Sequence, residues 1–199
     1  LEKVYDYFQR NLHDILEAGA GAGAKMLVAT VAANLKDCSP FGSAHATNLG
    51  AARKAAWEQS FQAGMKSESA GQPQDALRHY QAAAQIESGF AELQFRLGRC
   101  HLAQGNLEQA RNCFASALDM DTLRFRADSR LNDILASAAR NQEGRGIHLV
   151  DAKAALAQSC VDGMPGDEFF FDHVHLNYEG NYVLASALAE QAVKLLPAS

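Results

Sequence analysis

The stretch AELQFRLGRCHLAQGNLEQARNCFASALDMD, residues 91–121, decides the fold. Moved back by about 34 positions, a period known from helical repeats, it lands on a looser copy of itself. Gly98 falls on Gly64, Gly105 on Gly71, Ala110 on Ala76, Phe114 on Tyr80 and Ala117 on Ala83. Each match has a packing reason. Small residues at Gly64, Gly98, Ala76 and Ala110 let two antiparallel helices approach closely, which puts Gly98 against Ala110 at the tight contact. The rings of Tyr80 and Phe114 then fill the groove toward the next helix. Gly71 and Gly105 supply the turns, where a positive φ carries no steric penalty.

This period, with these residues, strongly resembles the tetratricopeptide repeat. Leu97-Gly98 takes the place of the family's Leu-Gly pair, and Ala110, Phe114 and Ala117 its small–aromatic–small positions on the second helix. The first copy, residues 57–88, has Ala63-Gly64 instead and Pro73 in the inter-helix turn, with Trp57 as a core anchor. The resemblance implies a concave groove that holds a protein or peptide ligand. Two repeats fall short of the roughly three that a free-standing stack needs. The next apolar face, Leu131, Ile134, Leu135 and Ala138, therefore reads as a capping helix.

The flanks follow another grammar. Val4, Phe8, Leu12, Ile15 and Leu16 share one helical face. The apolar runs KMLVATV, residues 25–31, and GIHLVD, residues 146–151, read as buried strands. Residues 178–196 form a last helix, with Tyr182, Leu184, Leu188, Ala192 and Leu195 among its apolar positions. Helix–strand, helix–strand, helix is the pattern of a parallel α/β layer. The expected fold class is thus an α/β part interrupted by an all-α repeat insertion, mostly helical overall. Residues 1–52 form the first half of the α/β part, 53–122 the two repeats, 123–141 the capping helix and 142–199 the second half. Two buried parallel strands do not complete a sheet, and Leu1 sits directly against a helical pattern. The chain reads as a piece of a longer protein whose remaining strands lie upstream. Its exposed sheet edge invites pairing with a second copy as a homodimer.

Composition narrows the function classes. The 199 residues are 48% hydrophobic and 21% charged, an ordinary globular balance. A net charge of −5 gives no positive field to hold nucleic acid or an anionic membrane. The longest apolar run, residues 26–33, is too short to span a bilayer. No basic–apolar–small leader opens the chain, and the compartment stays undecided. Cys38, Cys100, Cys113 and Cys160 match no zinc or redox spacing and read as small buried hydrophobes. The Gly/Ala run at residues 18–24 closes a helix and enters a strand. Nucleotide loops do the reverse, so no cofactor is expected.

The sharpest chemical signal is FFFDHVHLNYEGN, residues 169–181. Asp172 and His175 stand three apart, just before a helix. A carboxylate that orients an imidazole is two-thirds of a nucleophilic triad. Asp-x-x-His followed by Asn and Gly closely resembles the last block of the SGNH (GDSL-type) hydrolase superfamily, where the pair serves a serine. The stretch TVAANLKDCSPFGS, residues 30–43, looks like the strand end and loop of a subgroup in which tetratricopeptide repeats interrupt the hydrolase domain. The resemblance implies an esterase or acyl hydrolase of unknown ester substrate, with Asp172 and His175 as catalytic residues. The Gly-Asp-Ser nucleophile block and the oxyanion-hole blocks are absent, and family order places them before residue 1. The chain alone is then expected to be inactive.

Residues past the first strand are placed where α/β proteins bind ligands, so Asn34, Asp37, Ser43 and His45 stand between substrate lining and plain loop capping. Other readings remain open for the histidine loop. It is a helix N-terminal capping loop, or a metal site of His173, His175 and Asp172 without evident further ligands. With the α/β part as a non-catalytic scaffold, the chain is a repeat module for protein–protein interaction.

Overall fold

The computed structural model describes residues 1–196. In chain order the elements are α1 (Glu2–Gly21), β1 (Met26–Ala29), α2 (Ala51–Ser69), α3 (Pro73–Ile86), α4 (Ala91–Ala103), α5 (Leu107–Met120), α6 (Ser129–Arg140), β2 (Ile147–Val150), α7 (Ala152–Ser159) and α8 (Tyr178–Leu195). The chain is mostly helical, with two short strands among the described residues. It divides into two compact units, Leu1–Asn34 with Arg126–Ser199, and Leu35–Phe125.

In the first unit β1 and β2 pair in parallel, Met26 opposite Ile147 and Ala29 opposite Val150. Leu16, Val28, Leu135, Ala139 and Ile147 form the core beneath them. The α1 face differs from the one the apolar spacing suggests. Tyr5 and Leu16 are buried and Phe8 and Leu12 pack on the core, but Val4 and Ile15 face outward. The buried stripe is therefore Tyr5, Phe8, Leu12 and Leu16, one turn-step around from Val4. Helix α6 lays Leu135 and Ala139 on α1 and the strands. Its Asn132 amide acts as a strand surrogate, accepting from Val31 N–H at 2.7 Å and donating to Val31 C=O at 3.0 Å. That satisfies the backbone just past β1, where no third strand pairs among the described residues. Two short strands do not by themselves amount to the hydrolase-type sheet.

The repeat unit is built as two antiparallel pairs, α2 with α3 and α4 with α5. Gly71 and Gly105 sit at φ +70° and +74° in the two turns. Trp57, Phe61, Ala76, Tyr80, Ala83, Leu93, Leu97 and Cys100 make its core. The tight contact is not Gly98 on Ala110. A Cβ on Gly98 would meet the Phe114 ring at 2.8 Å, and one on Gly64 the Tyr80 ring at 2.5 Å. Each glycine is a flat seat for the aromatic ring of the following helix. Cys100 alone of the four cysteines is fully buried, which pushes its thiol up to about 11.

The loop before α2 is tied to this unit by polar contacts. Asp121, at the end of α5, accepts from Phe41 N–H at 2.9 Å and Gly42 N–H at 3.0 Å. Thr122 N–H donates to Gly42 C=O at 3.0 Å. The segment from Leu35 on thus belongs with the repeats by its contacts, not with the strand that precedes it.

Replacing an interior helical glycine by alanine ordinarily stabilises a helix by about 0.5–1 kcal/mol. Here the added methyl meets a ring that is 1% exposed, and overpacking costs about 1–3 kcal/mol. Gly98→Ala is expected to lower the thermal unfolding midpoint followed by circular dichroism. A raised midpoint would contradict the ring-on-glycine packing.

Candidate functional site

The candidate site forms where the chain leaves the parallel strands. Thr30 N–H extends the ladder to Val150 C=O at 3.0 Å. The Thr30 hydroxyl donates to Asp151 Oδ1 at 2.9 Å and accepts from Lys153 N–H at 3.0 Å, joining the exits of both strands. Asp151 also caps α7 by accepting from Ala154 N–H. Four residues past Thr30, Asn34 is 1% exposed. Its backbone N–H donates to His173 C=O at 3.0 Å, and its Nδ2 to Asp167 Oδ1 at 2.8 Å. Arg126 Nη1 donates to the Asn34 carbonyl at 2.9 Å. The parallel edge and the histidine loop are thereby joined through backbone.

The loop is a narrow hairpin. Phe170 and Leu176 bridge in antiparallel fashion, and Phe171 N–H donates to His175 C=O at 2.8 Å. At its tip the two oxygens of Asp172 take different tasks. Oδ1 accepts from the Val174 and His175 N–H groups, both at 2.9 Å, which closes the turn. Oδ2 lies 2.7 Å from His175 Nδ1. The backbone N–H of His175, that of Val174 and then the His175 ring hold the Asp172 carboxyl well below the usual carboxylate range. A neutral ring that donates from Nδ1 to this carboxylate has its lone pair at Nε2. The His175 side chain is 74% exposed, and Nε2 makes no hydrogen bond among the described residues.

The spacing of the motif has a structural cause. Asn177 caps α8, accepting from Gly180 N–H at 3.0 Å, and its Nδ2 donates to Glu168 C=O at 3.0 Å. Gly180 leaves no room for a Cβ, since the Phe169 carbonyl occupies that position. Phe169 and Phe170 pack with Leu156 behind the loop. His173 also stands near the carboxylate: its Nδ1 lies 3.5 Å from Asp172 Oδ1, and its ring is 6.1 Å from that of His175. One carboxylate thus stands between two imidazoles.

Ser43 and His45 lie in the repeat unit, where each has a structural partner. The Ser43 hydroxyl accepts from Glu92 N–H at 2.9 Å and so caps α4, whose own first residues supply no cap. His45 is wedged between Trp57 and Phe90 and bonded to Glu87. Of the lining candidates, Asn34 contacts the histidine loop through its backbone N–H. Sequence reasoning missed Arg126 and Asp167. Asn177 was legible as Asx two residues past the histidine and just ahead of a helix. Arg126 and Asp167 carry no local signal, because their partners are distant in sequence. The metal reading on His173, His175 and Asp172 finds no such cluster. Among the described residues the donors that converge within 4.8 Å are Cys160, Asp162 and Glu168.

The repeat unit carries a charged constellation of its own. Glu68 on α2 accepts from Tyr80 and Arg96, each at 2.7 Å, and Arg96 Nε lies 2.8 Å from Glu92. Arg99 Nε stands 3.4 Å from Glu68 and is 56% exposed.

A tetratricopeptide repeat family model matches residues 69–141. No curated protein and no solved structure matches the chain. The match supports the repeat reading of residues 69–141, and the hydrolase resemblance has no counterpart in these comparisons.

Proposed function

We propose that the chain acts first as a protein–protein interaction module. The observation that carries this reading is the tetratricopeptide match over residues 69–141. Repeats of this kind generally bind proteins or peptides. The face shared by α2 and α4 supplies the recognition chemistry. Glu68, Glu92 and Arg96 fix one another in place, and Arg99 projects beside them. A preordered charge row of this sort selects partners by complementary charge. A peptide-display library selected on the full chain tests the proposal. Arg99→Glu is expected to weaken the selected peptides about fivefold or more, the scale of one exposed charge contact. Peptides indifferent to every change on the α2/α4 face would contradict it.

A second reading is favoured by one specific observation, the 2.7 Å contact of Asp172 with an exposed imidazole. In this reading the pair is the acid–base half of a serine-hydrolase-type site. Asp172 holds the Nδ1–H tautomer. Nε2 removes the proton of a serine hydroxyl as its oxygen bonds to an ester carbonyl, then returns it to the departing alcohol. A water repeats the sequence and frees the acid. The ester, and the serine that Nε2 serves, belong to the proposal.

Imidazole nitrogen spectra test this second reading. His175 is expected to rest as the Nδ1–H tautomer, and Asp172→Asn to scramble it. A dominant Nε2–H form in the native chain would remove the base. The pH dependence has a definite sign. Because the Asp172 pKa is depressed in the folded chain, the stability the contact contributes is present above the ordinary carboxylate pKa. It is lost as pH falls through the depressed value. The Asp172 carboxyl carbon is therefore expected to titrate below the free carboxylates of the chain. Titration alongside them would contradict the geometry.

A further inference from the structure

Helix α8 buries one face and leaves a second apolar face uncovered. Gly180 is buried, and Val183 packs with Leu156, Phe169 and Phe170. On the opposite side run Tyr178, Tyr182, Ala185, Ala189 and Val193, continued by Leu196, which follows the helix. Steps of three and four residues place all six on one stripe. Tyr178 is 89% exposed, Tyr182 72%, Val193 66% and Leu196 67%. Ala185 and Ala189 are exposed too. No Lys, Arg, Asp or Glu interrupts the stripe.

The stripe is arranged symmetrically about Ala187. Large apolar residues stand at both ends, Tyr178 and Tyr182 at one, Val193 and Leu196 at the other. Ala185 and Ala189 lie at equal distances from the centre. An antiparallel copy of the same helix, crossing at Ala187, sets Tyr178 against Leu196, Tyr182 against the turn that holds Val193, and Ala185 against Ala189. Small residues at the crossing allow the axes to approach to about 8 Å, the near end of the packing range.

We propose that α8 is a self-association surface, and that its occupant is α8 of a second copy in a twofold, antiparallel pair. Such an interface is isologous, so one stripe serves both partners. Its size is adequate. Four tyrosines cover on the order of 600–1,000 Å², and Val193 and Leu196 from both copies bring the total to the lower end of the roughly 1,200–2,000 Å² of specific interfaces. This surface is distinct from the sheet edge that the sequence pattern offers for pairing.

Sedimentation equilibrium of the full chain tests the pairing. The native chain is expected to follow a monomer–dimer equilibrium. Tyr182→Glu, at an exposed position, is expected to leave the circular dichroism unchanged and the chain monomeric. Ala185→Glu, at the crossing, is expected to do the same, whereas Lys194→Glu, on the side of the helix that carries Val183, is expected to leave association unchanged. A native chain monomeric at every concentration, or a dimer indifferent to both Tyr182→Glu and Ala185→Glu, would overturn the proposal.

Discussion

The parallel pairing of β1 with β2 is the constraint on which the α/β unit depends. It joins segments that sequence keeps far apart, as the Thr30–Asp151 bond across 121 residues shows. Closing so long a loop is entropically costly, though the cost grows only slowly with length. Four residues per strand supply few ladder bonds, so side chains complete the job. Thr30 ties the strand exits together, Asn132 satisfies Val31, and Ile147 and Leu16 seal the core beneath. Only because the two exits lie side by side does Asn34 find the carbonyl of His173. The sheet thus places the loop, while the Asp172–His175 geometry is closed by the loop's own turn.

The repeat unit rests on a different kind of constraint. Its helices are held by steric fit, a ring laid on a glycine in each pair, with a buried aromatic cluster around Trp57. Polar contacts then fix the preceding loop to the helix ends. Ser43 and Asp121 satisfy backbone N–H groups that would otherwise lack protein partners. Burial also shapes the chemistry of the charged row, since it pushes the Tyr80 hydroxyl up and keeps that group neutral beside Glu68. Tyr80 therefore donates to the carboxylate instead of repelling it.

Much of this was legible in the sequence, and the reasons divide cleanly. The repeats were visible because their packing recurs, so Gly64 and Gly98 identify each other. The strands were visible as short apolar runs, and the histidine loop because its donors are local. What stayed hidden depended on the third dimension. Tyr5 and Val4 are both apolar neighbours on α1, and only the direction of the core decides that Tyr5 turns inward. Helix α6 has one apolar face, which periodicity reveals, but not the surface that face covers. The eight-residue α7 is too short for periodicity to mark. Ser43 and His45 sit in a loop whose partners, Glu92 and Glu87, are more than forty residues away. Tyr182 carries the most useful lesson, an apolar helix residue that the fold leaves outside.

The central structural claim is that the histidine loop is anchored to the parallel edge through backbone. Amide hydrogen exchange reads this bond by bond. Thr30 N–H donates to Val150 and Asn34 N–H to His173, each at 3.0 Å. Both amides are expected to be protected, and the Asn34 amide to exchange only with opening of the unit that protects Thr30. An Asn34 amide that exchanges as freely as an exposed loop, while Thr30 stays protected, would detach the Asp172–His175 pair from the fold and contradict the account.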